Sequence, residues 1–211
     1  MKWDDIYFRL NASDLRDERW SAKNFGGQRI SDVNGALAWL EKHDIAKYNL
    51  GSISIAKLIA KGKYKATTNP ADIKGSDIVV IAVPTPLDSN RKPDLSYIDS
   101  ACKVIGENLD APALIINEST SYPGTIRNYI KPAIEKYSKA KLAHEYAISP
   151  ERVDPGRVEW NQKNTPRLFA GLTPEATRRT REFYATFCDN LVEVSSPEVA
   201  EAAKLFENTF R

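Results

Sequence analysis

Cysteine is scarce in this chain: 211 residues hold two, Cys102 and Cys188. Both fall in segments of helical pattern, and neither has a second ligand at metal-type spacing. That excludes a disulfide framework, leaves no metal site to expect, and suits a reducing compartment. No apolar run approaches the roughly 20 residues that cross a bilayer. Met1 to Leu10 interleaves charges with aromatics and lacks the apolar stretch of a signal peptide. The cytoplasm is the expected location. Neither sign of charge dominates: the net charge is +2, which makes no electrostatic case for nucleic acid or membrane as partner. Internal repeats and low-complexity linkers are also missing. What remains, 42% apolar and 27% charged residues, is the composition of an ordinary globular chain long enough to bury a core.

From about residue 60, short apolar runs alternate with longer helical patterns. Ile78-Val79-Val80-Ile81-Ala82-Val83 is a β-branched run of the kind buried on both faces of a parallel sheet. Leu114-Ile115-Ile116 and Leu168-Phe169-Ala170-Gly171 read as further strands, with weaker candidates at Leu142 to Ile148 and Leu191 to Val194. Between them, Leu95 to Leu109, Thr125 to Tyr137 and Pro174 to Phe187 have helical spacing. Such alternation argues an α/β fold with a doubly wound parallel sheet. Asp94 and Thr173, each beside a proline, are the expected N-caps.

The first fifty residues behave differently. They offer one strand candidate, Ile6-Tyr7-Phe8, a turn at Phe25-Gly26-Gly27-Gln28, and a helix candidate from Ser31 to His43.

Polar residues gather just after the expected strands. Val83-Pro84-Thr85-Pro86 ends the strongest one, and on pattern alone prolines there read more readily as punctuation. Glu118-Ser119-Thr120 ends the next, and Tyr122-Pro123-Gly124-Thr125 leads into a helix; single hydroxyls in such places are more often caps. Ser149-Pro150-Glu151-Arg152 follows a third. In open α/β sheets, ligands bind outside the carboxyl ends of strands, so these loops would line one crevice. The last helix opens with a capping-box spacing, Ser195 to Glu198. Its expected buried stripe is Val199, Ala203, Phe206 and Phe210. Glu201, Lys204, Asn208 and Arg211 would share another face, which pattern alone makes a solvated one.

Four of these motifs, in order and spacing, resemble the NAD-dependent nucleotide-sugar 6-dehydrogenases, the UDP-glucose and UDP-N-acetylhexosamine dehydrogenase family: Val83-Pro84-Thr85-Pro86, Asn117 to Thr125, Ser149 to Gly156, and Lys204-Leu205-Phe206-Glu207-Asn208-Thr209. The resemblance covers residues 60 to 211. It implies an incomplete Rossmann-like domain over 60–194, the start of a long connecting helix over 195–211, and a divergent segment over 1–59.

It further implies a UDP-sugar substrate, NAD as cofactor, and a homodimer for the complete enzyme. Val83, Pro84, Thr85, Ser119 and Thr120 resemble cofactor contacts, and Thr120 also the threonine that helps hold an active-site water. Glu151 resembles the glutamate beside the reacting carbon, Arg152 a substrate contact, and Lys204 with Asn208 the pair that stabilises the oxyanion during two oxidations. By the same resemblance Thr120, Glu151, Lys204 and Asn208 are catalytic, and Glu151, Arg152, Lys204 and Asn208 meet the substrate. Pro155 stands where some relatives carry a second glutamate, a difference of subgroup.

Two family features have no counterpart. The G-x-G-x-x-G turn that meets the cofactor pyrophosphate is nowhere in the chain: Gly26 and Gly27 are adjacent and the third position is not glycine. Tyr48 to Ile53 loosely resembles the loop after the family's second strand. The nucleophilic cysteine of the family's Gly-Gly-x-Cys loop is also missing, since Cys102 and Cys188 sit in unlike contexts and read as core thiols. The expectation is part of a nucleotide-sugar dehydrogenase, inactive alone. The alternative is a non-catalytic binding or interaction module derived from the family.

Overall fold

The β-branched run at residues 78–83 forms a strand over Ile78–Ile81, β1, which stops short of the first proline of the following loop. Proline has no N–H for a ladder, so the run cannot continue through Pro84. The computed structural model describes residues 65–90, 92–153, 160 and 162–210. After β1 come α1 (Ser96–Asn108), β2 (Leu114–Asn117), a π-helical turn (Ile126–Ile130) running into α2 (Lys131–Tyr137), β3 (Glu145–Ile148), β4 (Arg167–Gly171), α3 (Pro174–Tyr184), β5 (Leu191–Glu193) and α4 (Pro197–Phe210). The strand at Ile6 to Phe8, the helix at Ser31 to His43 and the loop at Tyr48 to Ile53 lie outside the described residues.

The chain divides into two compact units, residues 1–72 and 73–211. In the first, Asp72 ties together the described stretch, accepting from Lys65 at 2.8 Å and Thr67 at 2.5 Å. The second holds a five-stranded sheet in the order β1-β2-β3-β4-β5. The pairs β1–β2, β2–β3 and β4–β5 are parallel, but β4 runs against β3. A wholly parallel sheet was the expectation from sequence. A parallel neighbour to β3 would need a crossover back to the far edge, usually a helix. The described residues between Ile148 and Arg167 contain no helix, so the chain re-enters from the edge it left. This reversal sets Arg167, the first residue of β4, at the carboxyl ends of β1 to β3.

Helices cover both faces. Ile81, Ile115 and Tyr146 pack with Ile98, Cys102 and Ile105 of α1 and with Ile126, Ile130 and Ile134 of the π turn and α2. Ile148 and Ala170 continue that face under Ala200 of α4. Along β4, Gly171 points opposite to Ala170 and lies against α3. A Cβ on Gly171 would stand 2.4 Å from the Thr177 nitrogen and 2.6 Å from the Ala176 Cβ, so this close crossing of strand and helix requires glycine.

The expected helix over Thr125 to Tyr137 is two pieces. Lys131 N–H bonds back five residues to Ile126, and the widened turn relieves the clash of Pro132 with the preceding turn. Thr173 caps α3 as expected, accepting from Ala176 N–H at 3.0 Å. Asp94 lies one residue ahead of the cap position, which Leu95 occupies, and accepts from Ser96 N–H at 2.9 Å.

Helix α4 overturns the amphipathic expectation. Val199, Phe206 and Phe210 are exposed, Phe210 at 87%, while Pro197, Ala200, Glu201 and Lys204 are buried, Glu201 at 1%. Two residues of the expected polar face, Glu201 and Lys204, are turned inward, while Asn208 stays exposed. The Glu198 carboxylate, expected in a capping box, accepts from Arg127 Nε at 2.8 Å. No helix among the described residues is long and apolar enough to cross a membrane.

Candidate active site

Strand register fixes the first three site loops on one edge. Ile81 pairs with Asn117, and Asn117 with Ile148, so Thr85, Thr120 and Glu151 all follow strand ends that lie side by side. The loops are stitched to one another. Glu118 N–H donates to Ile81 C=O at 2.8 Å, and Ser149 N–H to Asn117 C=O at 3.0 Å. Ser119 is buried; its hydroxyl accepts from Val83 N–H at 2.8 Å and lies 3.4 Å from the Ile81 carbonyl. Ser119 therefore ties the Val83-Pro84-Thr85 loop to the Thr120 loop.

Asn117, wholly buried, shapes that second loop from beneath. Its carbonyl oxygen accepts from Ser119 N–H at 3.2 Å, and its amide reaches Ser119 C=O at 3.3 Å and Ser121 Oγ at 3.4 Å. An asparagine turning back on its own backbone is a standard way to hold a tight loop.

The polar face of α4 closes the site from the side. Asn208 Nδ2 comes to 3.5 Å from Thr120 Oγ1, and Lys204, one turn earlier, is 8% exposed. Arg152 is drawn to the same helix: its Nε donates to Glu207 at 2.9 Å, and its NH1 to Pro166 C=O at 3.2 Å.

A charged network that sequence reading did not anticipate supports the edge from below. Arg167 NH1 donates to Glu118 Oε1 at 2.7 Å, and Tyr184 OH donates to the same oxygen at 2.5 Å. The guanidinium lies 4.3 Å from the centre of the Tyr184 ring, a cation over a π face. Burial works against the charge on Arg167, but the facing carboxylate of Glu118, together with Tyr184 and Cys188, outweighs it, and its pKa rises. Burial, then the charge of Glu118, push the Tyr184 phenol well above its ordinary value, so it stays a donor. Arg167 NH2 also donates to Gln162 Oε1 at 2.6 Å, and Gln162 Nε2 lies 3.4 Å from Glu151 Oε1. Glu151 is held a second time by Val153 N–H. The path Glu118–Arg167–Gln162–Glu151 thus joins three strand ends. Its one signal in the sequence is a cation flush against the apolar run Leu168 to Gly171.

Glu201 is the other unanticipated residue. Its carboxylate accepts from Gly124 N–H at 2.5 Å and Ile126 N–H at 2.9 Å. Burial raises its pKa above the usual carboxylate range, and these two donors only partly oppose that. The thiols offer no nucleophile: Cys102 is fully buried with its pKa pushed up to about 12 by burial, and burial also raises Cys188. Among the described residues, no cluster of three or more His, Cys, Asp or Glu side chains is placed to hold a metal.

Residues 38–188 match the family model described as the UDP-glucose/GDP-mannose dehydrogenase family, NAD binding domain. The chain belongs to this family. The match reaches back past residue 60 and ends ahead of α4. The UDP-N-acetyl-D-mannosamine dehydrogenase of Pyrococcus horikoshii is 31% identical over 184 residues, 86% of this chain and 42% of that protein. The UDP-N-acetyl-D-glucosamine 6-dehydrogenase of Pseudomonas aeruginosa is 32% identical over 75% of this chain and 38% of its own length. The solved structure of the Pyrococcus enzyme superposes with a TM-score of 0.68 at 32% identity, covering 79% of this chain and 42% of that one. The chain spans less than half the length of the relatives it matches. The fold is that of a Rossmann-type dehydrogenase domain, and the cofactor of the family domain is NAD.

The donor set of the described edge fits the nicotinamide end of such a cofactor. Thr85 and Thr120 stand half-buried after neighbouring parallel strands, the position that binds dinucleotides in open sheets.

Proposed function

We propose that this chain supplies the cofactor-facing half of a nucleotide-sugar 6-dehydrogenase centre, which oxidises the C6 hydroxyl of a UDP-sugar to a carboxylate. The observation that supports the reading is the approach of Asn208 Nδ2, on α4, to Thr120 Oγ1, 88 positions away, beside the strand end that leads to Glu151.

When bound, NAD supplies the hydride acceptor, and Val83 to Thr85 with Ser119 and Thr120 would hold its nicotinamide side. Thr120 Oγ1 would hold a water or a sugar oxygen. Glu151, tethered through Val153 and Gln162, orients water or takes up a proton beside the reacting carbon. The Lys204 ammonium and the Asn208 amide stabilise negative charge developing on the C6 oxygen. Arg152, fixed on Glu207, faces the substrate from the Glu151 loop.

The covalent step of the second oxidation needs a thiolate, and both thiols of this chain are buried. The isolated chain is therefore expected to yield no UDP-uronic acid, and without a glycine turn for the pyrophosphate to bind NAD weakly at best. The buried thiols equally favour the second reading, a binding module without turnover.

Two assays decide. NADH release from UDP-glucose and UDP-N-acetylglucosamine by the isolated chain should be absent, and robust turnover would overturn the division of labour. In a chain joined to a family segment carrying the Gly-Gly-x-Cys loop, Lys204→Ala should lower turnover by about two orders of magnitude or more, the scale of losing one oxyanion donor. Unchanged turnover there would remove Lys204 from the mechanism, and a joined chain that never turns over would favour the binding module.

A further inference from the structure

Helix α4 is oriented by a carboxylate where an apolar stripe was expected to orient it. Three observations bear on why. Glu201 is buried to 1% exposure, and its two oxygens take separate backbone N–H groups, Gly124 and Ile126. Those donors belong to the turn that follows Thr120 by four and six residues. On the helix, Glu201, Lys204 and Asn208 stand at successive intervals of three and four and so share a face.

The turn itself is built to offer the donors. Gly124 has φ of +91°, a conformation that side-chain-bearing residues rarely adopt. A Cβ there would stand 2.8 Å from Asn128 Nδ2. Thr125 Oγ1 closes the turn by donating to Tyr122 C=O at 2.6 Å. The N–H groups that begin a helix have no partner within it, and at Ile126 the partner comes from another element 75 residues on.

We propose that Glu201 is the positioning residue of the site, its carboxylate clamping the Thr120 loop to α4 so that Lys204 and Asn208 are presented to Thr120. The fit is bidentate, so it fixes the rotation of the helix as well as its distance from the loop. A one-residue rotation would carry Lys204 from its sheltered position toward the exposed face that holds Val199 and Phe206. The neighbouring pair Arg127–Glu198, at 2.8 Å, joins the same two elements but is largely solvated, with side chains 49% and 33% exposed. It restrains the junction without setting the rotation.

The inference rests on the reading of Lys204 and Asn208 as site residues, and its test reads shelter and hydrogen bonding, so it can fail while that reading stands. The full chain is compared with Glu201→Gln, Glu201→Ala and Arg127→Ala. Acetylation of Lys204 by acetic anhydride is followed by peptide mass spectrometry. Alkylation of Cys102, fully buried on the inward face of α1, serves as the gauge of general unfolding.

The expected result is that Lys204 reacts about fivefold to a hundredfold faster in Glu201→Ala, the bias that two lost hydrogen bonds place on a local equilibrium. Glu201→Gln should fall between Ala and wild type, since its amide oxygen can still accept from one N–H while its NH2 faces the other. Cys102 should be unchanged in both, and Arg127→Ala should leave Lys204 near wild type. In 15N-correlated spectra, the Gly124 and Ile126 amide protons should move upfield in Glu201→Gln. Lys204 and Cys102 exposed together would make Glu201 a general support of the fold and overturn the proposal. Lys204 unaffected, or exposed equally by Arg127→Ala, would overturn it too. Should Glu201→Ala fail to fold, Glu201→Gln and the amide shifts carry the decision alone.

Discussion

Helices α1 and α4 both carry an apolar stripe at helical spacing, and the fold uses them in opposite ways. α1 turns Ile98, Cys102 and Ile105 into the core. α4 turns Glu201 and Lys204 inward and leaves Val199, Phe206 and Phe210 in the open. The same contrast runs along the sheet. Ile115 and Ile116, mid-strand, are wholly buried, while Glu118, just past the strand end, faces Arg167. A sheltered ion pair or carboxylate is a weak source of stability, because desolvation offsets its attraction. Its placement here follows the site: every inward charge named above lies at the carboxyl edge of β1 to β3. Burial of apolar surface holds the body of the domain together, and directed hydrogen bonds set the geometry of the edge.

The contrast breaks most readily at Arg167. Removing one partner of a buried pair leaves a charge without compensation, at a cost of about 3 to 5 kcal/mol. Glu118 keeps the Tyr184 donor, so Arg167→Met is expected near the lower end, as read by urea unfolding. Adding Glu118→Gln should recover much of the loss, because the stranded carboxylate and not the missing guanidinium is the main cost. Equal losses in the single and double variants would mean that Arg167 contributes by packing on Tyr184 and not by its charge.

Matched truncations sharpen the comparison between the helices. Ile98→Ala on α1 opens a cavity in a fully buried place and should cost about 2 to 5 kcal/mol. Phe206→Ala on α4 removes a larger side chain that is 72% exposed, and should stay within about 0.5 kcal/mol. Comparable losses would show that the outward stripe of α4 is covered in solution.

The pattern of residues carried much of this architecture and missed specific parts of it. β1 and β2 were legible because β-branched runs buried on both faces have little else to become. The co-location of Thr85, Thr120 and Glu151 was legible because each closes a strand and parallel strands end together. The reversal of β4 was not, since direction depends on the path of the loop after Ile148, and the run Leu168 to Gly171 reads the same either way.

The face of α4 misled for a different reason. Periodicity assumes that apolar residues choose the inward side, whereas Glu201 is inward with partners distant in sequence, the Gly124 and Ile126 amides, and Lys204 is buried on the same face. Arg167 escaped notice because its partner Glu118 lies 49 positions away, and Tyr184, which shares that carboxylate, lies 66 positions from Glu118. The nucleotide-sugar dehydrogenase motifs were legible as a set, but two of the residues that support them, Arg167 and Glu201, were not part of any motif.

The smallest effect separates two carboxylates on one helix. Glu198, beside Arg127, has its pKa lowered to about 2, chiefly by the Arg127 hydrogen bond. A depressed carboxyl stabilises the fold above its unfolded pKa, ordinarily near 4.3, and that contribution fades as pH falls toward 2. The pair is largely solvated, so its worth at neutral pH is about 0.2 to 1 kcal/mol and shrinks with salt. Glu201 is shifted the other way by burial. Its contribution is full below the unfolded pKa and declines as pH rises through the raised value. Urea unfolding of wild type, Glu198→Gln and Glu201→Gln across the acid range measures both. The wild-type advantage over Glu198→Gln should grow with rising pH, and its advantage over Glu201→Gln should diminish. Slopes of the same sign would mean that Glu201 is charged and solvated in solution, and that α4 is not seated by a buried carboxylate.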